Sequence, residues 1–114
     1  MNPVSIYKCL ADDTRLRCLL LIASEDELCV CELMAALNES QPKISRHLAQ
    51  LRQCDLLVDR RQGQWVFYRL NPSLPSWVKQ VLETTLDANP GFIAPNATAL
   101  TQMQSRPTRD GLCG

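Results

Sequence analysis

Histidine occurs only once in the 114 residues, and the formal net charge is zero. No apolar run approaches the roughly 20 residues that a membrane-spanning helix requires. The N-terminal stretch Met1-Asn2-Pro3-Val4 lacks the basic region and long apolar segment of a secretion signal. Without such a signal, the six cysteines, scattered along segments of helical pattern, are expected as reduced thiols in a cytoplasmic protein. A lone His47 at a helix edge suggests packing or a phosphate contact and argues against an imidazole metal site. Internal repeats are absent, and the length leaves no room for a second core. With 46% apolar and 21% charged residues the chain reads as an ordinary globular domain. Membrane, secreted and fibrous classes are excluded.

The zero net charge argues at first against a nucleic-acid partner, but the charge is unevenly distributed. Residues 1–40 hold three basic residues against seven acidic ones, a net of −4. Residues 41–70 hold Lys43, Arg46, Arg52, Arg60, Arg61 and Arg69 against Asp55 and Asp59, a net of +4. Contact chemistry depends on the patch rather than the sum, so the middle third is a candidate anion-facing surface.

Hydrophobic spacing and caps predict mostly helix. Pro3–Leu10 is a short amphipathic segment, and Asp12-Asp13-Thr14 starts a helix whose inward face is Leu16, Leu19, Leu20 and Ala23. A further short helix is expected over Leu28–Leu37. Ser40 is a good N-cap, and Pro42 is tolerated in the first turn of a helix running from about Gln41 to Gln53. Ile44, Leu48 and Leu51 repeat at i, i+4, i+7 and face the core, leaving Lys43, Arg46 and Gln50 on the opposite stripe. Leu56–Arg61 and Trp65–Leu70 are rich in strand formers around Gly63, which predicts a β-hairpin with an arginine pair at its tip. A last amphipathic helix follows Pro75. Residues 1–87 are thus expected as one domain, and residues 88–114 as a flexible tail.

Short helices, a capped basic helix and then a hairpin form the order of a winged helix-turn-helix, a mostly α fold with a β-hairpin wing. There the capped helix enters the major groove of double-stranded DNA. Gln41, Lys43, Ser45 and Arg46 are the candidate reading residues, with Arg60 and Arg61 on the wing against backbone or minor groove. A rival enzymatic pattern, Cys54 followed by Arg60 in a Cys-x5-Arg loop, lacks glycine and carries two aspartates that would repel an oxyanion, so a thiol enzyme is not expected.

The stretch Glu27-Leu28-Cys29-Val30-Cys31-Glu32-Leu33, with Ser40-Gln41-Pro42-Lys43-Ile44-Ser45-Arg46-His47-Leu48 and Asp59 through Leu70, resembles the arsenical-resistance repressors of the ArsR/SmtB group. The resemblance covers roughly residues 5–86. It implies a homodimer joined through its first and last helices, with no resident cofactor, that leaves its operator when As(III) or Sb(III) binds. It also implies that Cys29 and Cys31 are the metalloid ligands, although alone they would read as small packed apolar residues. The family's third cysteine is replaced by Met34, so any third ligand is expected from Cys9, Cys113, the partner subunit or solvent. On a regular helix Cys29 and Cys31 would diverge by about 200°, so chelation is expected to unwind the first turn. The helix start is expected to lower their pKa. Cys9 and Cys18 are expected in the core, and Cys113 as an idle exposed thiol. Zinc sensors of the group use Asp/His sets on the last helix, where this chain offers only Glu83 and Asp87. Two other readings keep the fold: a thiol-based oxidant or persulfide sensor, which needs a longer-range cysteine pair, and a non-inducible DNA-binding protein.

Overall fold

The computed structural model describes residues 1–107. Helix α1 (Pro3–Leu10) begins where Asn2 Oδ1 accepts the Ser5 N–H at 3.1 Å, with proline in the first turn where its missing N–H forfeits no bond. Asp12 caps α2 (Asp13–Glu25) by accepting the Arg15 N–H at 2.9 Å. Cys18 to Ile22 are all buried. The helix is therefore covered on every side, where the periodicity predicts a single inward stripe; Leu16 and Ala23 lie at the margin, half-buried.

The helix expected over Leu28–Leu37 is split. Asp26 turns the chain with φ 72°, a strand β1 (Glu27–Cys29) follows, and α3 (Val30–Leu37) starts one residue later. Three residues are too few to display a strand pattern, and their hydrogen-bonding partner lies far along the chain. Ser40 caps α4 (Gln41–Gln53), accepting the Lys43 N–H at 3.4 Å, over the range the caps predict. Ile44, Leu48 and Leu51 are fully buried, each contributing on the order of 1.5–3 kcal/mol by leaving water. Asp55 follows in the left-handed region at φ 62°, which a short polar side chain tolerates.

Strands β2 (Leu57–Gln62) and β3 (Trp65–Leu70) pair antiparallel, with Gln62 opposite Trp65, which leaves a two-residue turn at Gly63-Gln64. Gly63 takes φ 61° there, a value glycine adopts without a Cβ clash. Strand β1 adds to the far edge of β3, placing Cys29 opposite Phe67, so the order is β1-β3-β2. Helix α5 (Ser76–Ala88) buries Val78 and Leu82.

Among the described residues 89–107, part of the segment whose composition predicts a flexible tail is ordered as helix. Ala94–Thr101 form α6, which packs on α3 and buries Leu100, with Ile93 just ahead of it. Arg17 places its guanidinium 4.1 Å from the Phe92 ring centroid and donates to Asn96 Oδ1 at 3.0 Å, while Asn96 donates to the Ala36 carbonyl at 3.0 Å. A few apolar anchors and one bonded asparagine hold a segment whose average composition is polar. The core is continuous from Ile6 to Leu100. No helix among the described residues is long and apolar enough to cross a membrane.

Candidate functional site

Cys29 and Cys31 stand at the junction of β1 and α3. Cys29 is the N-cap, extended at φ −97°, and Cys31 lies in the first helical turn. Because Cys29 precedes the helix, the helical divergence expected of the pair does not apply. Their sulfurs are 3.0 Å apart, and both thiols are free. Glu32 completes a capping box: its Oε1 accepts the Cys29 N–H at 3.0 Å. The Glu32 carboxylate is 0% exposed, and its Oε2 accepts from Arg106 Nε at 2.7 Å. The segment after α6 thereby reaches back to the thiol pair. Burial, reinforced by the Cys31 contact and the Glu32 charge, pushes the Cys29 thiol up to about 12. This reverses the lowering expected from the helix start, because desolvation of a buried thiolate outweighs the partial charge of one helical turn.

The thiols open into a cavity of about 290 Å³ whose wall includes Met34, Gln41, Gln64 and Trp65. Gln41 is the first residue of α4, and Gln64 lies in the wing turn, so the cavity touches the thiols, the recognition helix and the wing together. Trp65 Nε1 is buried with no hydrogen-bond partner among the described residues. Also among the described residues, no group of three His, Cys, Asp or Glu side chains is placed to hold an ion. Glu32, Arg106 and the cavity wall escape a reading based on ligand types. The Cys29-x-x-Glu32 spacing, a capping box with sulfur in place of a hydroxyl, is the local signal for Glu32.

The expected reading residues lie together on α4. Gln41 donates to Ser45 Oγ at 2.8 Å, Lys43 pairs with Glu39 at 2.9 Å, and Arg46 is exposed with no ion pair among the described residues. The two wing arginines point apart, because successive strand residues face opposite sides. Arg61 is exposed, whereas Arg60 is drawn into a bidentate pair with Glu27 and sits 4.8 Å over the Phe67 ring. The Glu27 carboxylate raises its pKa further. The expected arginine pair at the tip thus reduces to Arg61. His47 is 6% exposed, with Arg15 Nη1 3.4 Å from its Nδ1. It packs, and it is not presented to phosphate.

The remaining cysteines divide. Cys18 lies in the core, and burial holds its thiol up at about 12. Cys9 and Cys54 are joined in a disulfide, which corrects the expectation that every thiol is reduced, and Cys9 is half-buried at the margin of the core. Composition and compartment led to that expectation, and the two meet only because α1 and α4 both pack on α2. The bond removes Cys9 as a third ligand at the Cys29–Cys31 pair. The thiol-enzyme reading closes as well, since the Arg60 guanidinium is committed to Glu27. Cys113 lies outside the described residues.

A helix with a packed back and a polar front, braced by α3 and followed by a hairpin, is a winged helix-turn-helix DNA-binding module. Residues 12–58 match the family described as "Bacterial regulatory protein, arsR family". The chain is 62% identical over 113 residues to the arsenic resistance transcriptional regulator ArsR2 of Pseudomonas putida, covering 99% of this chain and 98% of that protein. It is 54% identical over 81 residues to the arsenical resistance operon repressor of Escherichia coli, covering 71% of this chain and 69% of that one. The solved AntR antimony-specific transcriptional repressor superposes with a TM-score of 0.63 at 34% identity, covering 75% of this chain and 74% of that chain. The chain belongs to the arsR family of bacterial regulatory proteins. It is a transcriptional regulator and not an enzyme.

Proposed function

We propose that this chain is a cytoplasmic operator-binding repressor, released from DNA when trivalent arsenic or antimony bonds to Cys29 and Cys31. The observation that carries the reading is the pair of free sulfurs 3.0 Å apart in a cavity that also touches Gln41 of α4 and Gln64 of the wing. Trivalent arsenic and antimony are soft and thiophilic, and a close sulfur pair suits them. The names of its relatives, arsenic resistance regulators and an antimony-specific repressor, point the same way.

Condensation of trihydroxyarsenic(III) with two thiols forms two As–S bonds and releases two waters. Each thiol proton leaves on a hydroxide of the arsenical, so the raised pKa of Cys29 does not oppose the equilibrium. The sulfurs already converge, so unwinding of α3 is not a precondition for chelation. The bonded ion and its remaining oxygen ligand occupy the cavity, and that occupancy separates the start of α3 from the start of α4 and from the wing turn. A preference of about 2.7 kcal/mol for the displaced state suffices for hundredfold weaker operator binding.

On DNA, Gln41, Lys43, Ser45 and Arg46 read or position along the major groove, and Arg61 reaches backbone or minor groove. A second copy of the chain completes the repressor through α1 and α5. Val4 at 60% and Tyr7 at 52% exposure are large apolar side chains presented on α1, and the Tyr7 and Trp77 rings lie 6.3 Å apart across the two helices.

The test is fluorescence anisotropy on DNA from the gene's own promoter, titrated with As(III) for wild type and Cys29→Ser. Release of wild type alone at micromolar As(III) is the expected result. Equal release of both would move the site elsewhere, and release of neither would remove metalloids as the signal.

A further inference from the structure

The Cys9–Cys54 disulfide lies outside the cavity described above, at the other end of α4. Cys9 is in α1, and Cys54 is the C-cap of α4, 45 residues later. The surroundings suit both oxidation states. The Gln50 carbonyl oxygen stands 3.6 Å from Cys9 Sγ and 3.1 Å from Cys54 Sγ, an acceptor ready for either thiol. A groove of about 440 Å³ lined by Lys8, Arg15, Gln50 and Gln53 runs alongside both cysteines, so a small polar oxidant has access. The junction does not depend on the bond. Arg15 donates to the Cys9 carbonyl at 2.8 Å and to Gln50 Oε1 at 2.8 Å, spanning α1 and α4 by itself. Cys18, by contrast, is sealed in the core.

We propose that Cys9 and Cys54 form a reversible oxidation site for peroxide-class oxidants, independent of Cys29 and Cys31, that locks the C-terminal end of α4 to α1. One thiol ionises and its thiolate attacks a peroxide oxygen; the O–O bond breaks, a sulfenic acid forms, and the departing hydroxide takes up the released proton as one water. The second thiol ionises in turn and attacks that sulfur, the S–S bond forms, and the departing hydroxide takes up its proton as the second water. The peroxide takes two electrons from the two sulfurs, and small thiols reverse the step by exchange. Because α1 also carries the exposed apolar face, the bond fixes α4 relative to that face. It restricts the displacement through which cavity occupancy weakens DNA binding. This consequence rests on the metalloid reading; the oxidation itself does not.

The experiment uses the full chain, reduced with dithiothreitol and then treated or not with hydrogen peroxide, for wild type, Cys54→Ser and Cys9→Ser. Alkylation and non-reducing peptide mapping identify the bonded cysteines, and anisotropy gives operator release by As(III). Oxidised wild type is expected to yield the Cys9–Cys54 linked peptide and to require about tenfold more As(III) than reduced wild type. Both variants should release like the reduced protein with or without peroxide. Alkylated Cys9 and Cys54 after peroxide, or a peroxide shift in Cys54→Ser equal to that of wild type, would overturn the site. Linkage without any shift in the As(III) midpoint would overturn the coupling. If reduced wild type does not release at all, the metalloid reading fails, while the peptide map still decides the oxidation site.

Discussion

The N-terminal end of the recognition helix adjoins two free thiols only two residues apart in the chain. Its C-terminal end is tied by a disulfide whose cysteines lie 45 residues apart. At the first end the sulfurs converge through local geometry, an extended cap residue followed by one helical turn, and hydrogen bonds within the same few residues hold them. At the second end the two cysteines meet only because α1 and α4 both pack on α2. A site of the first kind can answer to a ligand with a small rearrangement of one cap. A site of the second kind reports whether two distant elements are in register. The movable end therefore suits release from DNA, and the tied end suits restraint.

Removing sulfur from the movable end should have the largest effect. Cys31→Ser is expected to abolish As(III)-driven release, raising the midpoint in an anisotropy titration by about a hundredfold or more while leaving operator affinity intact. Persistence of a normal midpoint would erase the functional contrast between the two pairs. Next comes the strap over the same end. Arg106→Ala leaves the fully buried Glu32 carboxylate without this cation, and urea unfolding should show a loss of about 2–3 kcal/mol.

The two wing arginines and Arg46 sharpen the comparison from the DNA side. Arg46→Ala should weaken operator binding by about 1–3 kcal/mol if it reads a base; if it holds phosphate, it should lower the salt slope by about 0.9. Arg60→Ala should leave affinity and salt slope unchanged and reduce stability, because its guanidinium is spent on Glu27 and Phe67. Filter binding across a salt series, paired with thermal melts, separates them.

The smallest effect concerns alkaline stability. Burial raises the Cys18 thiol from the ordinary value of 9.0 to about 12, so below pH 9 neither the folded nor the unfolded state ionises there. Between about pH 9 and 12 the unfolded chain loses the proton and the folded chain does not, so stability falls as pH rises. Cys18→Ala should flatten that decline in denaturation midpoints. It should not remove it, since Cys29 is raised in the same way.

Much of the fold was legible in local pattern. The Ser40 cap with Pro42 and the spacing of Ile44, Leu48 and Leu51 delimit α4, and the strand formers around Gly63 delimit the hairpin, because each signal is satisfied within a few residues. The candidate ligands were legible only through family likeness, since nothing in a Cys-x-Cys spacing separates a ligand pair from packed cysteines. The chain by itself thus determined the recognition helix, its caps, the wing turn and the residues on the helix front.

Tertiary structure decided the rest. It drew Glu27–Cys29 into the sheet, which turned Cys29 from a helical residue into a cap and set its sulfur beside that of Cys31. It folded Ala94–Thr101 onto α3 and brought Arg106 to Glu32. It turned Arg60 inward onto Glu27 and joined Cys9 to Cys54. In each case the physical reason is the same: the stabilising partner lies far along the chain, and burial or pairing with it outweighs the local preference that composition and periodicity express.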